Sequence, residues 1–316
     1  MKKLTQYLPS AGLFGMLATL FLVVGCGGPK KATYATDELV PKEKALLWRI
    51  SGNGLKKPSH LFGTIHLIPK SEFELSAATQ AALRSAGRVA FEIDMREMTN
   101  LRTQFSLISK AFMAGGKTLR DLLPAEDYEF VHSKLAEKGL PPTMLERLKP
   151  MFLSTMFGSE SEDGGGIMPG GGNTTSVEME IYGIAKKQKK ETAGLETAAY
   201  QMAIFDSIPY TEQAKMLVES LRSTDGGSDE FAKMVELYRS QDIGAMVTMM
   251  NEEGAGIKNY EHLLLTKRNE NWVAPMGRMM REKPTFFAVG AGHLGGPNGV
   301  IALLRKQGYR VEAVLP

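Results

Sequence analysis

Cysteine is almost absent from this chain: Cys26 is the only one among 316 residues. A domain that follows it therefore has no internal disulfide and no thiolate metal ligand, so any metal ion must be held by imidazole and carboxylate groups. A basic surplus is missing as well. Without Lys2 and Lys3, which precede the only long apolar run, 36 basic and 35 acidic residues remain. This balance excludes a nucleic-acid-binding surface built on net positive charge.

Several common catalytic motifs are also missing. The sequence contains no H-E-x-x-H, no G-x-S-x-G, no Walker G-x-x-x-x-G-K-S/T and no G-x-G-x-x-G that opens a dinucleotide-binding unit. These absences exclude the zinc protease, serine hydrolase, P-loop and Rossmann sites that carry those signatures.

The one long apolar run is LFGMLATLFLVVG, at residues 13–25. With the two lysines before it, it predicts a signal peptide over residues 1–25. Small residues before Cys26 resemble a bacterial lipobox, which implies cleavage before Cys26 and its lipidation; the alternative is a free cysteine at the end of an anchor helix. We expect residues 26–44 to form a lipidated tether and the protein to be extracytoplasmic in the cell envelope. Gly27 favours the outer membrane where the cell has one.

The rest of the chain, residues 45–316, predicts an α/β domain. Its expected elements are strands at ALLWRI, SHLFGTIHL, RVAFEID, TFFAVGAGH and YRVEAVL, and helices at ELSAATQAALRSAG and PNGVIALLRKQG. Between about residues 95 and 283 the pattern is mostly helical, with one short strand at KETAGL. We therefore expect a mixed β-sheet with helices on its faces, interrupted by a long helical insertion. The glycine-rich segment 158–175 predicts a loop; a plain surface loop is favoured over a lid.

Two histidines occur in the same local pattern, Gly63-Thr64-Ile65-His66 and Gly290-Ala291-Gly292-His293. Each pattern comes at the carboxyl end of an apolar run, where α/β sheets bind ligands. Glu92 lies in a third such run, and a carboxylate there is costly unless it is paired or binds a metal. His66, His293 and Glu92 together predict either a divalent-metal site or an acid–base pair. The alternative is that the histidines are structural.

The motifs GTIHL, FEID, GLET followed by Gln201, KRN and FFAVGAGHLGGPNGVIALLRKQGYRV together resemble the TraB/GumN family, over about residues 45–316. That family is related to Tiki-type metalloproteases and, more distantly, to erythromycin-esterase-like and haem-binding lipoprotein folds. The resemblance implies a metal-dependent peptidase that acts on a peptide or protein substrate. By matching motif it implies His66, His293 and Glu92 as metal ligands, with Glu92 as ligand or general base. The ion, which could be Mn²⁺, Co²⁺ or Zn²⁺, stays open.

Three further residues carry open alternatives. Arg268 in KRN could stabilise an oxyanion, pair with Glu92 or be a solvated helix residue. Glu196 in GLET could pair with a group in the site, although the first turn of a helix is favoured. Asp94 is expected either beside the ligands or in a salt bridge.

Residues 175–178, Thr-Ser-Val-Glu, fit a helix capping box. The resembled family often has an acidic residue near this place, but we favour the cap.

These patterns favour a lipid-anchored, extracytoplasmic metal-dependent hydrolase. One alternative is a surface lipoprotein that binds haem, a metal or a partner without turnover. Another is an inactive domain used in cell-surface interactions. A haem binder needs an apolar slot with an axial ligand, whereas an enzyme needs the two histidines and Glu92 within reach of one ion.

Overall fold

A computed structural model describes residues 31–99, 103, 109–137, 145–157, 173–224, 228–252 and 257–315. The predicted signal peptide and the predicted lipidation site at Cys26 lie outside these residues, as does most of the glycine-rich loop. Within the described ranges, no helix is both long and apolar enough to span a membrane.

The strands of the domain form one six-stranded sheet and one short ladder. They are β1 (Leu47–Gly52), β2 (Ser59–Thr64), β3 (Ile68–Pro69), β4 (Arg88–Ile93), β5 (Thr174–Thr175), β6 (Glu191–Glu196), β7 (Thr285–Gly290) and β8 (Tyr309–Ala313). The sheet order is β6-β4-β7-β2-β1-β8, and β3 pairs with β5. The first four strands of that order run parallel, whereas β1 is antiparallel to both of its neighbours. The predicted mixed α/β sheet is confirmed.

Helices cover the sheet and fill the middle of the chain. They are α1 (Ala77–Ser85), α2 (Met95–Thr99), α3 (Ala125–Glu137), α4 (Pro150–Phe157), α5 (Val177–Lys187), α6 (Ala198–Asp206), α7 (Tyr210–Thr224), α8 (Ser228–Arg239), α9 (Ile243–Glu252), α10 (Lys267–Glu282) and α11 (Val300–Lys306). Short 3₁₀ turns occupy Thr36–Glu38, Lys70–Glu72, Ala114–Gly116, Leu119–Asp121, Ile257–Tyr260 and Ala291–His293, and one π-helical turn occupies His262–Thr266.

The central strand β7 shows why the frame was readable from the sequence. Its run Phe286, Phe287, Ala288 and Val289 is completely buried. Parallel strands are covered by helices on both faces and therefore read as continuous apolar runs. The SGNG turn that joins β1 to β2 was also readable from the sequence. Asn53 and Gly54 in this turn have positive φ angles, which suit a tight connection between antiparallel strands.

The helical middle of the chain has a core of its own. A cluster that includes Val131 in α3, Leu153 in α4 and Leu217 in α7 packs separately from the core that surrounds the sheet. The predicted strand at KETAGL exists as β6, and it pairs with β4 at the edge of the main sheet. The chain therefore returns to the sheet within the segment predicted as an insertion.

Strand order brings four carboxyl ends to one edge of the sheet. Thr64 at the end of β2 is in register with Gly290 at the end of β7, and Ile93 in β4 is in register with Glu196 in β6. Side chains at and just beyond these positions meet there, which is where parallel sheets bind ligands.

Candidate functional site

Glu92 lies near the end of β4 and is held through both carboxylate oxygens. Its Oε1 accepts a hydrogen bond from the backbone N–H of Gly290 at 2.8 Å, and its Oε2 accepts from Arg268 Nη2 at 2.5 Å and from Gln201 Nε2 at 3.0 Å. Burial opposes ionisation, but the charge interactions with His293, Arg268 and His66 outweigh it and lower the pKa of Glu92 to about 2. Glu92 is therefore an anion at neutral pH.

Arg268, on the first turn of α10, is buried and joins two carboxylates. Besides Glu92, it donates to Glu196 Oε1 from Nη2 at 2.6 Å and from Nε at 2.9 Å. Its Nη1 donates to the carbonyl of Leu264, within the π-helical turn that precedes α10. The alternative of a solvated arginine is therefore wrong, and Arg268 pairs with Glu92 as the second alternative had it.

Glu196 is the last residue of β6, and the N-cap of the following helix is Thr197. The favoured expectation, that Glu196 lies in the first turn of a helix, is wrong. Its Oε2 accepts a hydrogen bond from Trp272 Nε1 at 2.9 Å, while its Oε1 is bound to Arg268. Both oxygens are thus held by α10, and Glu196 fixes the arginine beside Glu92.

His293 follows β7 in a 3₁₀ turn and is buried. Its Nδ1 lies 2.6 Å from Asn269 Oδ1. The amide of Asn269 can present only its oxygen to the ring, because its Nδ2 donates to the carbonyl of Asn298 at 2.9 Å. The Nδ1 atom therefore carries the proton, and the lone pair of Nε2 accepts a hydrogen bond from Arg268 Nη1.

The Nε2 atom of His293 lies 3.1 Å from Arg268 Nη1 and 3.7 Å from Glu92 Oε1. Burial lowers the pKa of His293 to about 3, so the imidazole is neutral at neutral pH. The ring of Trp272 packs on it, with the two ring centroids 4.4 Å apart. A neutral imidazole with an oriented Nε2 is the form that binds a metal ion.

Two of the motif glycines allow the strand ends to approach closely. A Cβ on Gly290 would lie 3.2 Å from Glu92 Oε1, and a Cβ on Gly63 would lie 3.1 Å from the side chains of Ala291 and Leu294. The first glycine of each G-x-x-H pattern thus makes room for a neighbouring element of the site.

His66 lies just beyond β2, and 80% of its side chain is exposed. Its Nδ1 is 3.0 Å from Oε1 of Glu178, which also accepts a hydrogen bond from Thr64 Oγ1 at 2.8 Å. The charge of Glu178 and its hydrogen bond raise the pKa of His66.

Glu178 is the residue to which the sequence interpretation gave the wrong role, because the cap was favoured over the acidic residue that the resembled family often has near this place. The N-cap of α5 is Ser176, not Thr175, so the predicted capping box at residues 175–178 is wrong. The sequence signal that could have corrected this is Ser176. If Ser176 is the N-cap, Glu178 is the second residue of the helix, and a capping box requires the glutamate at the third.

The strongest contacts of Asp94 are with Arg96 and not with the residues of this cluster. Its carboxylate accepts hydrogen bonds from Arg96, with Oδ2 2.5 Å from Nη2. Of the two expectations for Asp94, the structure shows the salt bridge.

The predicted ligands suit a divalent ion in chemistry, although they are not gathered around one point. Among the residues that the structure describes, no three His, Cys, Asp or Glu side chains are grouped closely enough to hold a metal. His293 and Glu92 are adjacent, and His66 is near enough to influence the pKa of both. Imidazole and carboxylate donors bind Mn²⁺, Co²⁺ and Zn²⁺, and a ligating histidine usually donates its other ring N–H to an oxygen acceptor, as Nδ1 of His293 does to Asn269.

Comparison with known proteins shows the family to which the chain belongs. The model of the TraB/PrgY/gumN family matches residues 46–313, which include every residue of the site. The chain belongs to this family. No solved structure matches it.

Among the curated proteins that are similar to this chain are three vertebrate metalloproteases. The chain is 25% identical to metalloprotease TIKI1 of Danio rerio over 85% of its own length and 63% of that protein's. It is 23% identical to metalloprotease TIKI2 of Danio rerio, over 95% and 67% of the two chains. It is 25% identical to human metalloprotease TIKI1, over 88% and 64%. The chain thus spans about two thirds of the length of these relatives.

Proposed function

We propose that this protein is a metal-dependent hydrolase that cleaves peptide bonds, with a divalent ion held by His293, Glu92 and His66. The observation that carries the proposal is the state of His293: a buried, neutral imidazole whose Nε2 accepts a hydrogen bond from Arg268 Nη1 and lies 3.7 Å from the ionised carboxylate of Glu92. The names of the TIKI relatives support metal-dependent proteolysis, at 23–25% identity.

The ion would supply Lewis acidity and would lower the pKa of a water molecule at the site. Glu92 serves better as a ligand than as a general base. An efficient base has a pKa near the working pH, and the pKa of Glu92 is about 2. An anion that stays ionised can instead bind a cation, through the one lone pair of Oε1 that its three hydrogen bonds leave free.

Arg268 supplies fixed positive charge beside Glu92. All five of its N–H groups already have acceptors within the protein, so Arg268 can act on negative charge that develops on a substrate oxygen only through its electric field. Trp272 contributes by holding the second oxygen of Glu196 and by packing against His293.

The surroundings of His293 favour hydrolysis over haem binding. The groups in contact with its ring nitrogens are a guanidinium and an amide, with Glu92 beyond them. Haem needs a largely apolar pocket around its axial ligand.

The cellular setting is part of the same proposal. The apolar run before Cys26 supports a protein anchored by lipid to the cell envelope, with its site outside the cytoplasm and a peptide or protein as substrate. Mass spectrometry of the mature amino terminus tests this. A diacylglyceryl group on Cys26, lost in Cys26→Ser, is the expected result, and an unmodified, uncleaved terminus contradicts it.

The activity is tested with the full-length protein purified in detergent. Metal content is measured first, and cleavage of a peptide library is then followed after chelation and after re-addition of Mn²⁺, Co²⁺ or Zn²⁺. Cleavage should require one of these ions and should be lost in His293→Ala, Glu92→Gln and His66→Ala. His60→Ala is the matched control, because His60 lies on β2 but pairs in register with Phe286 away from the site. Cleavage that survives chelation or the three site substitutions contradicts the proposal.

A further inference from the structure

We propose that Glu178 is the positioning residue for His66. Its carboxylate accepts the Nδ1 proton of His66 and so leaves Nε2 as the atom that binds the ion. The role of Nε2 as a metal ligand rests on the proposed function. The tautomer assigned to His66 does not, and it can be tested without metal or substrate.

The carboxylate of Glu178 is itself held in place from two sides. Thr64, the last residue of β2, donates to its Oε1 at 2.8 Å, and the N-cap Ser176 donates to its Oε2 at 3.1 Å. Only 13% of the Glu178 side chain is exposed. The carboxylate is therefore a fixed acceptor that links the end of β2 to the start of α5, and His66 is bound to it two residues after Thr64.

Burial does not explain the bond between His66 and Glu178. A buried histidine needs partners for its ring nitrogens because an unpaired polar atom in the interior is costly. His66 is 80% exposed, and water could satisfy both of its nitrogens. The bond instead gives one orientation to a ring that would otherwise turn freely.

The second histidine shows the same arrangement. The Nδ1 of His293 is bound to Asn269 on α10, as the Nδ1 of His66 is bound to Glu178 on α5. Each G-x-x-H histidine thus has an acceptor for Nδ1 on a helix, which places the lone pair of each neutral ring on Nε2. The two supports differ in charge, and a carboxylate raises the basicity of its imidazole more than an amide does.

The competing explanation is that Glu178 only stabilises the amino terminus of α5, where a negative charge is favourable. Glu180 is a matched control for that role. It lies in the same first turn, carries the same charge and accepts a hydrogen bond from Thr175 Oγ1 at 2.7 Å. A purely helical role predicts similar effects of removing either carboxylate.

The first experiment determines the tautomer of His66 by ¹⁵N NMR of the metal-free protein, at a pH high enough for the ring to be neutral. Wild type, Glu178→Gln and Glu180→Ala should show the proton on Nδ1, because the glutamine oxygen can still accept it. Glu178→Ala should show the mixture of tautomers typical of an exposed histidine. An unchanged tautomer in Glu178→Ala, with the protein folded, overturns the proposal.

The second experiment measures the affinity for Co²⁺ from its visible absorption spectrum. Loss of a group that supports a ligand costs about 10–100-fold in metal affinity. We expect that loss in Glu178→Ala, a smaller loss in Glu178→Gln and none in Glu180→Ala. Equal losses in the alanine and glutamine variants would make Glu178 a ligand and overturn the positioning role. If wild type binds no metal, the proposed function fails, while the NMR result still decides how His66 is held.

Discussion

Replacing Arg268 by methionine tests how the site is held together. Methionine keeps much of the side-chain length and removes the charge, which leaves Glu92 and Glu196 without their shared cation. Both carboxylates are largely buried, and breaking a buried pair from one side costs about 3–5 kcal/mol because a charge is left uncompensated. The lost bond to the Leu264 carbonyl adds about 0.5–1.5 kcal/mol. We therefore expect the free energy of unfolding to fall by about 5 kcal/mol, the upper end of the range for a broken buried pair.

The assay is urea denaturation of the metal-free protein at neutral pH. Arg96→Met is the control, since its exposed salt bridge with Asp94 should contribute about 0–1 kcal/mol. The double variant Arg268→Met/Glu196→Gln should recover part of the loss, because one of the two stranded charges is removed. If Arg268→Met costs no more than Arg96→Met, or the double variant is less stable than the single one, the charge network does not hold the site as argued.

Three further predictions follow from individual contacts. Trp272→Phe removes the indole N–H that Glu196 accepts, and urea denaturation should show a loss of about 1–3 kcal/mol; wild-type stability would contradict this. Gly183→Ala on α5, where an added Cβ meets nothing within 4 Å, should raise thermal stability by about 0.5–1 kcal/mol, whereas Gly194→Ala should lower it because its Cβ would press on backbone beside β6. His293 has a pKa of about 3 when folded and about 6.5 when unfolded, so only the unfolded state takes up its proton between those values. The free energy of unfolding of the metal-free protein should therefore fall with pH below about 6.5, by up to about 1.4 kcal/mol per unit, and the fall should be shallower in His293→Gln.

The sheet could be predicted from the sequence because its signals are local. The runs that became β4 and β7 are apolar, and the helix between β2 and β4 has a serine cap, with Ser76 Oγ accepting from the Thr79 N–H. The order of the strands is not local. KETAGL could be assigned as a strand, but its place beside β4 depends on packing between segments far apart in the chain. No short window of sequence contains that information.

The site, like the sheet, has features that local sequence predicts and features that depend on distant segments. The two G-x-x-H patterns place His66 and His293 at strand ends through local sequence alone, and the cost of burying a carboxylate singled out Glu92. The partners that determine their chemistry are distant in sequence. Arg268 is 176 residues from Glu92, and Glu178 is 114 residues from Thr64. Glu196 was assigned to a helix because a carboxylate before a helical segment suits the helix dipole, yet the strand continued through it to meet Arg268.

The two histidines show why local motifs give positions and not chemical states. Both end a G-x-x-H pattern, and both bind an acceptor through Nδ1. Burial lowers the pKa of His293, while the charge and the hydrogen bond of Glu178 raise the pKa of His66. The same four-residue pattern therefore yields one imidazole that stays neutral over the physiological range and one that holds its proton more strongly. That difference comes from the burial of His293 and from Glu178, neither of which the motif specifies, so only the folded arrangement assigns each histidine its state.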